Sequence, residues 1–192
     1  MTRATPHAKP PGRPRAGIDA AVFAATLGTV RELGYAGATM DRIAAAAGVA
    51  KTTIYRRWPS KGALITDCLV DALGPVPLGG GSRREDISSA IRWIAAKIGE
   101  PGIGAAFAGV FVDAVSDPSL REVLSTRLQD PYRIVLQDAL DEPEHRVLLL
   151  IDVIVGTLLH RMGMTGVPMV DADVDALTGM ILRHFADTGG PA

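Results

Sequence analysis

The stretch TMDRIAAAAGVAKTTIYRRWPSKGAL, residues 39–64, decides the fold. Thr39 offers an N-cap hydroxyl, and Met40, Ile43, Ala44 and Ala47 follow at helical spacing on one face of a short helix that Gly48 stops. Val49 reads as a buried turn residue. Lys51 to Trp58 then predict another helix, with Ile54 inward and a mostly polar, basic side outward. Pro59 ends that helix, and Ser60 is placed to cap a further one running through Leu64, Ile65 and Leu69 toward Leu73. A small Ala44 lets two helices approach, Gly48 permits a sharp turn, and Val49 and Ile54 lock the second helix across the first. Those are the mechanics of a helix-turn-helix.

The outward side of the second of these helices carries Lys51, Thr52, Tyr55, Arg56 and the neighbouring Arg57. A helix of that shape fits the major groove of B-DNA, where Arg or Lys pairs with guanine edges and Thr meets a thymine methyl or a base acceptor. Charge along the chain agrees. The net charge of −1 hides ten Lys and Arg against three acids in residues 1–62, and ten against eighteen in the remainder. A basic module that meets a polyanion is joined to an acidic one that does not. A solvated charged face is the plainer reading of the cationic residues, and Tyr55 also suits a half-buried core aromatic whose hydroxyl faces outward.

Upstream, Val22, Phe23, Thr26, Leu27, Val30 and Leu33 recur at three- and four-residue steps, predicting a first helix from Ala16 that Gly34 caps. Before it, Pro6, Pro10, Pro11 and Pro14 forbid a helix and make residues 1–15 an extended basic arm. Its Arg13 and Arg15 are placed to enter an A·T-rich minor groove; a solubilising tail is the alternative.

The order Thr39, Ile43, Ala44, Ala47, Gly48, Val49, Ile54, Tyr55, Lys61 and Leu64, behind a helix of this length, resembles the DNA-binding domain of the tetracycline-repressor (TetR) family over residues 16 to about 65. The resemblance implies that the third helix enters the major groove and that Tyr55 touches a phosphate. It implies that Lys61 holds a second phosphate at the start of the fourth helix, and that Lys51, Thr52 and Thr53 reach bases or backbone. Trp58 stands where the family usually has Phe. Arg56 and Arg57 stand where the family varies, so whether they meet bases or phosphates stays open. Thr39 and Arg42 complete the candidate DNA-binding set.

The chain divides into a basic arm (1–15), a helix-turn-helix domain (16–62), a connecting helix with a Gly/Pro-rich linker (63–82), a helical body (83–187) and a tail (188–192). In the body Ile87, Ile91, Ile94, Ala95 and Ile98 mark one amphipathic helix. Pro101, Pro118 and Pro143 each fall where a first-turn proline starts another, with Asp117 and Asp141 or Glu142 ahead of two of them. Pro131 is expected to break or kink the segment 118–140. No strand alternation appears, so the class is all-α, with about nine helices.

Other signals exclude function classes. The apolar stretch Val147 to Leu159 contains Asp152 and is shorter than a membrane span, and no secretory signal leads the chain, which predicts a cytoplasmic protein without a membrane partner. One cysteine, Cys68, makes no internal disulfide and reads as a small core residue. Asp171, Asp173 and Asp175 begin like a calcium loop, but Ala176 and Leu182 occupy its glycine and glutamate positions. No metal, cofactor or catalytic motif emerges, so the chain is not read as an enzyme.

One recognition helix reads too few base pairs for genomic specificity, which calls for a two-fold homodimer on a palindromic operator. The apolar helices 144–163 and 171–185 are the expected dimer contact, and the resemblance points to the same pair. It also implies a small-molecule effector pocket in the body, for which Trp93, Phe107, Phe111 and Tyr132 are the aromatic candidates, with plain core as their other role. His160 reads as a partner of its helix's carbonyl end, a pocket residue or an interface residue. Asp152 lies on an outer face, pairs across an interface or contacts a ligand. The function expected is a repressor released by an effector that would be apolar or weakly polar. A regulator without an effector and an enzyme with an appended DNA-binding module are the alternatives.

Overall fold

The computed structural model describes residues 15–79 and 81–186, with the side chains of residues 15, 16 and 184–186 outside that description. Arg13 lies outside the described residues, and of Arg15 only its place at the start of the first helix is defined.

The helix-turn-helix forms as the periodicity requires. α1 (Arg15–Gly37) is interrupted at Gly34, whose φ of 69° and ψ of 170° leave helical space, so the regular helix ends where the glycine was expected to end it. α2 (Met40–Ala47) is capped by the Thr39 hydroxyl, which accepts from the backbone N–H of Arg42, and closes on left-handed Gly48. α3 (Lys51–Arg57) follows after the three-residue turn Gly48–Val49–Ala50, and α4 (Lys61–Leu73) begins on a Ser60 cap. Ile43 and Ile54 are fully buried between these helices, each worth about 1.5–3 kcal/mol by its apolar area. Leu33, expected on the core side of α1, is instead 50 % exposed, in the turn that Gly34 ends. Val49 is half-buried against the core.

The body is built from α5 (Arg83–Gly99), α6 (Ile103–Ser116), α7 (Pro118–Val123), α8 (Asp130–Leu140), α9 (Glu144–Thr165) and α10 (Asp171–Ala186). A π-helical turn, Leu124–Gln129, joins α7 to α8 without a break. Counting that run as one rod, the described residues form nine helices and no strand, the all-α class expected. Pro131 does not break the rod. Its missing N–H and its ring are accommodated by the wider π turn that immediately precedes it. Pro118 opens α7 behind an Asp117 cap, as expected. Pro101 stays in the turn before Gly102 caps α6, and Pro143 is itself the N-cap position of α9. Asp141 takes the left-handed C-cap of α8, while Glu142 pairs with Arg83 and Arg146.

α9 revises one expectation. At 22 residues and a mean hydropathy of 1.8 it is long and apolar enough to cross a membrane, because its apolar character extends past the thirteen-residue stretch that the sequence delimits. In the fold, Val147, Leu150, Ile154 and Leu158 pack into the body, while the other side carries Leu149, Asp152, Val153, Thr157 and His160 at the surface. The interleaved carboxylate, hydroxyl and imidazole do not suit lipid.

Candidate functional site

Two sites stand at opposite ends of α4. At its N-terminal end lies the outward side of α3. Thr52, Tyr55 and Arg56 are exposed there, Thr53 is half-buried, and Arg56 has no ion-pair partner among the described residues. Lys51 Nζ lies 2.5 Å from Asp41 Oδ2 at the start of α2, and both side chains are more than half exposed. A surface pair of this kind contributes about 0–1 kcal/mol, so a phosphate or guanine can take the lysine over at little cost. Arg42 is exposed and sends Nη1 to the Gly37 carbonyl at 2.8 Å. Thr39 spends its acceptor on the α2 cap at 3.3 Å and keeps its own proton for another acceptor.

Arg57 departs from this group. It turns back to pair with Asp19 of α1, with 22 % of its side chain exposed, and its guanidinium lies 6.0 Å from the Trp58 ring. Its place is that of a clamp between α3 and α1. Trp58 is 4 % exposed and tilts against Phe23, so the apolar plug expected of it is present. The indole adds something a Phe could not. Its Nε1–H donates to Asp67 Oδ2 at 2.9 Å, and the same carboxylate accepts from Arg127 of the π turn at 3.1 Å.

Lys61 sits over the Tyr35 ring, 3.7 Å from its centroid, and donates to the Tyr35 carbonyl at 3.3 Å. Tyr35 is the piece that sequence reasoning missed. Its ring lies flat on Gly109 of α6, and its hydroxyl donates to Asp113 at 2.5 Å. Burial, and then the hydrogen bond and charge of Asp113, push the phenol well above its ordinary range, so it stays a donor at any physiological pH. Contacts across 78 residues of sequence leave no local signal.

At the other end of α4 is a cavity of about 550 Å³, open on one side and lined by α4, α5, α6, α7, the π turn, α8 and α9. Trp93, Phe107, Phe111 and Tyr132, the aromatics for which the sequence left pocket and plain core open, all line it. Trp93 packs on Tyr132 at 5.5 Å between ring centroids, and Phe107 meets Phe111 edge-on at 5.7 Å. The Tyr132 hydroxyl donates to the carbonyl of Gly74, the C-cap of α4, at 2.7 Å, and burial raises its pKa. His160 does not reach the cavity. α9 continues to Thr165, so the imidazole is not near the helix end, and one step of about 100° from the lining residue Leu159 carries it to the exposed side. Asp152 does line the cavity, from its exposed edge. Cys68 is buried as a core residue, its thiol pushed from 9.0 to about 12 by burial and then by Asp71.

Residues 22–68 match the family described as bacterial regulatory proteins, tetR family, and residues 77–181 match the tetracyclin repressor-like C-terminal domain. The helix-turn-helix-type transcriptional regulator Rv1556 of Mycobacterium tuberculosis is 29 % identical over 171 residues, 84 % of each chain. Among solved structures, the TetR family transcription regulator SCO0332 superimposes with a TM-score of 0.64 at 26 % identity, over 91 % of this chain and 99 % of its own. The multidrug binding protein EbrR, solved with imidazole, gives a TM-score of 0.62 at 16 % identity, over 85 % of this chain and 93 % of its own. With both halves matched in order and the reading helix exposed, the chain belongs to the TetR family of bacterial helix-turn-helix transcription regulators.

Proposed function

We propose that the protein is a dimeric repressor that holds a palindromic operator with two copies of α3 and releases it when a small molecule fills the cavity. The observation that carries this reading is the position of α4. Lys61, a phosphate-holding candidate, stands at its first residue, and the carbonyl of its C-cap is tied to Tyr132 in the cavity wall. A ligand that displaces Tyr132 acts on the same rod that carries Lys61.

In this reading Lys51, Thr52, Thr53 and Arg56 face the groove, Thr39, Arg42, Tyr55 and Lys61 hold phosphates, and Arg57 keeps α3 seated on α1. Arg13 of the arm and Arg15 at the start of α1 add minor-groove contacts. Two copies join through α9 and α10, whose outward sides place Leu149, Val153 and Met180 in solvent at 49, 39 and 59 % exposure beside the small Gly156, Ala172 and Ala176. EbrR, of the same fold, binds multiple drugs, which supports a ligand role for this cavity. The cavity also argues against an effector-free regulator. Location in the cytoplasm follows from the DNA target.

Release is a linkage effect. An effector that fits the DNA-incompetent arrangement better lowers operator affinity by its differential binding energy, about 1–3 kcal/mol. The test is fluorescence anisotropy on DNA flanking the protein's own coding region, with and without a compound library. Affinity should fall with salt at a log–log slope of about −0.9 per neutralised phosphate, and at least one compound should release the DNA. A flat salt response refutes the DNA reading. Binding that no cavity ligand weakens refutes the effector reading.

A further inference from the structure

We infer that α9 packs antiparallel on α9 of a second copy about a two-fold axis at Gly156, so that Asp152 of each subunit accepts a hydrogen bond from His160 of the partner subunit. This rests on the reading of α9 and α10 as the subunit interface and fixes the register of that interface.

Leu149, Asp152, Gly156, His160 and Gly163 recur at three- and four-residue steps along the exposed side of α9. Neither Asp152 nor His160 has a hydrogen-bond or ion-pair partner among the described residues. Eight residues apart on one helix, they lie about 12 Å from each other and cannot pair within a subunit. Arg161, the cation next to His160, is already paired with Asp173 of α10 at 2.7 Å. The two glycines serve nothing inside the subunit. A Cβ on either meets no atom within 4 Å, and neither has a positive φ, yet glycine inside a helix costs about 1 kcal/mol relative to alanine. Close approach of a second helix gives both a reason.

One register satisfies all five positions. With the helices antiparallel and the axis at Gly156, residues equally distant from it in sequence meet across the interface, as a self-complementary two-fold contact requires. Asp152 then faces the partner's His160, and Leu149 faces the partner's Gly163, a large side chain over a gap. The imidazole carries an N–H donor for the carboxylate in either protonation state. Other registers set like against like. An axis near Asp152 brings two carboxylates together, one near His160 brings two imidazoles together, and a parallel pair does both. Asp152 and Gly156 also line the cavity, so the second copy of α9 borders it and the partner's His160 stands at its rim.

The experiment places single cysteines on α9 of the full-length protein, oxidises with copper phenanthroline and reads the products by non-reducing electrophoresis. Cys68 is buried, so the unsubstituted chain should not link. Gly156→Cys should link to its own copy, because a residue on the axis meets itself within disulfide reach. Asp152→Cys and His160→Cys should each link poorly alone and link to each other when the two chains are co-expressed. Sedimentation equilibrium reads the charges: Asp152→Lys and His160→Asp should each weaken the dimer about tenfold or more, and the two in one chain should restore it to within about threefold. Circular dichroism shows that each variant folds. A dimeric Gly156→Cys that does not link, an Asp152→Cys that links to its own copy more readily than to His160→Cys, or a charge exchange that restores nothing overturns the register and leaves the dimer reading standing. An unsubstituted protein that stays monomeric at every concentration removes both.

Discussion

Gly109→Ala puts the seam between the two halves of the molecule to a quantitative test. A Cβ built on Gly109 falls 2.0 Å from Cγ of Tyr35 and 2.3 and 2.4 Å from its two Cδ atoms, against an ordinary contact distance of 3.4 Å or more. The ring must therefore withdraw by about 1.4 Å, and it cannot do so while keeping both its 2.5 Å bond to Asp113 and the 3.7 Å approach of Lys61 to its face. Overpacking of this kind costs about 1–3 kcal/mol, and the weakened hydrogen bond adds about 0.5–1.5 kcal/mol. Alanine regains about 1 kcal/mol from helix propensity inside α6. The net expectation is a loss of about 0.5–3.5 kcal/mol in urea unfolding at fixed protein concentration. In a Tyr35→Ala background the clash is gone and only the propensity gain remains, so the same substitution should stabilise by about 1 kcal/mol. The sign inverts. A Gly109→Ala effect of the same sign and size in both backgrounds would show that the ring does not rest on that glycine, and the close-packed seam would be refuted.

Three other expectations come from the reading unit and the core. Trp58→Phe keeps the plug but removes the donor to Asp67; with that carboxylate still held by Arg127 and partly exposed, the cost in urea unfolding should be about 1 kcal/mol, and it should shrink in an Asp67→Asn background. Gly48→Ala meets no atom within 4 Å but must adopt a φ of 65°, so it should destabilise by about 1–2 kcal/mol, with Gly48→Asn milder; equal costs would mean that the turn is not held left-handed. The thiol of Cys68, raised from 9.0 to about 12 in the fold, favours the folded state fully below pH 9 and loses that contribution as pH climbs toward 12; iodoacetamide at pH 8 should label it only on unfolding, and rapid native labelling would contradict its burial.

Local pattern carried the reading unit because its chemistry is local. Ile43 and Ile54 repeat at helical spacing, Gly48 sits where a left-handed turn is needed, and Thr39 and Ser60 cap the helices they precede. The aromatics around the cavity were less legible, since composition alone does not separate a cavity wall from a filled core and only the family resemblance raised a pocket. Of the roles open to His160, the cavity lining is not the one it takes, because one residue of register decides which side of a helix it occupies. Leu33 failed because periodicity marks a side of a helix and not which part of that side a neighbour covers where the helix breaks. Tyr35, Gly109 and Asp113 could not have been found at all. A tyrosine on a glycine 74 positions away has no signature in either segment alone.

The ties that cross from the reading unit to the body share one physical property that bears on how a ligand could move them. Tyr35 to Asp113 and Asp67 to Arg127 are partly solvated, and Asp67 also receives the indole N–H of Trp58 at the end of α3. Each is therefore worth only about 1 kcal/mol, well below the cost of disturbing the buried packing of Ile43 and Ile54. The cavity lies behind these ties. Leu124, Ser125, Leu128 and Gln129 of the π turn face it while Arg127 of the same turn points to Asp67, and Phe107 and Phe111 of α6 line it while Gly109 and Asp113 hold Tyr35. A ligand that displaces the lining by a fraction of a helical step can exchange these weak contacts without opening the core of either half. An allosteric coupling of about 1–3 kcal/mol is of the same size as two such ties, so the energy scale of the seam is compatible with the release proposed above.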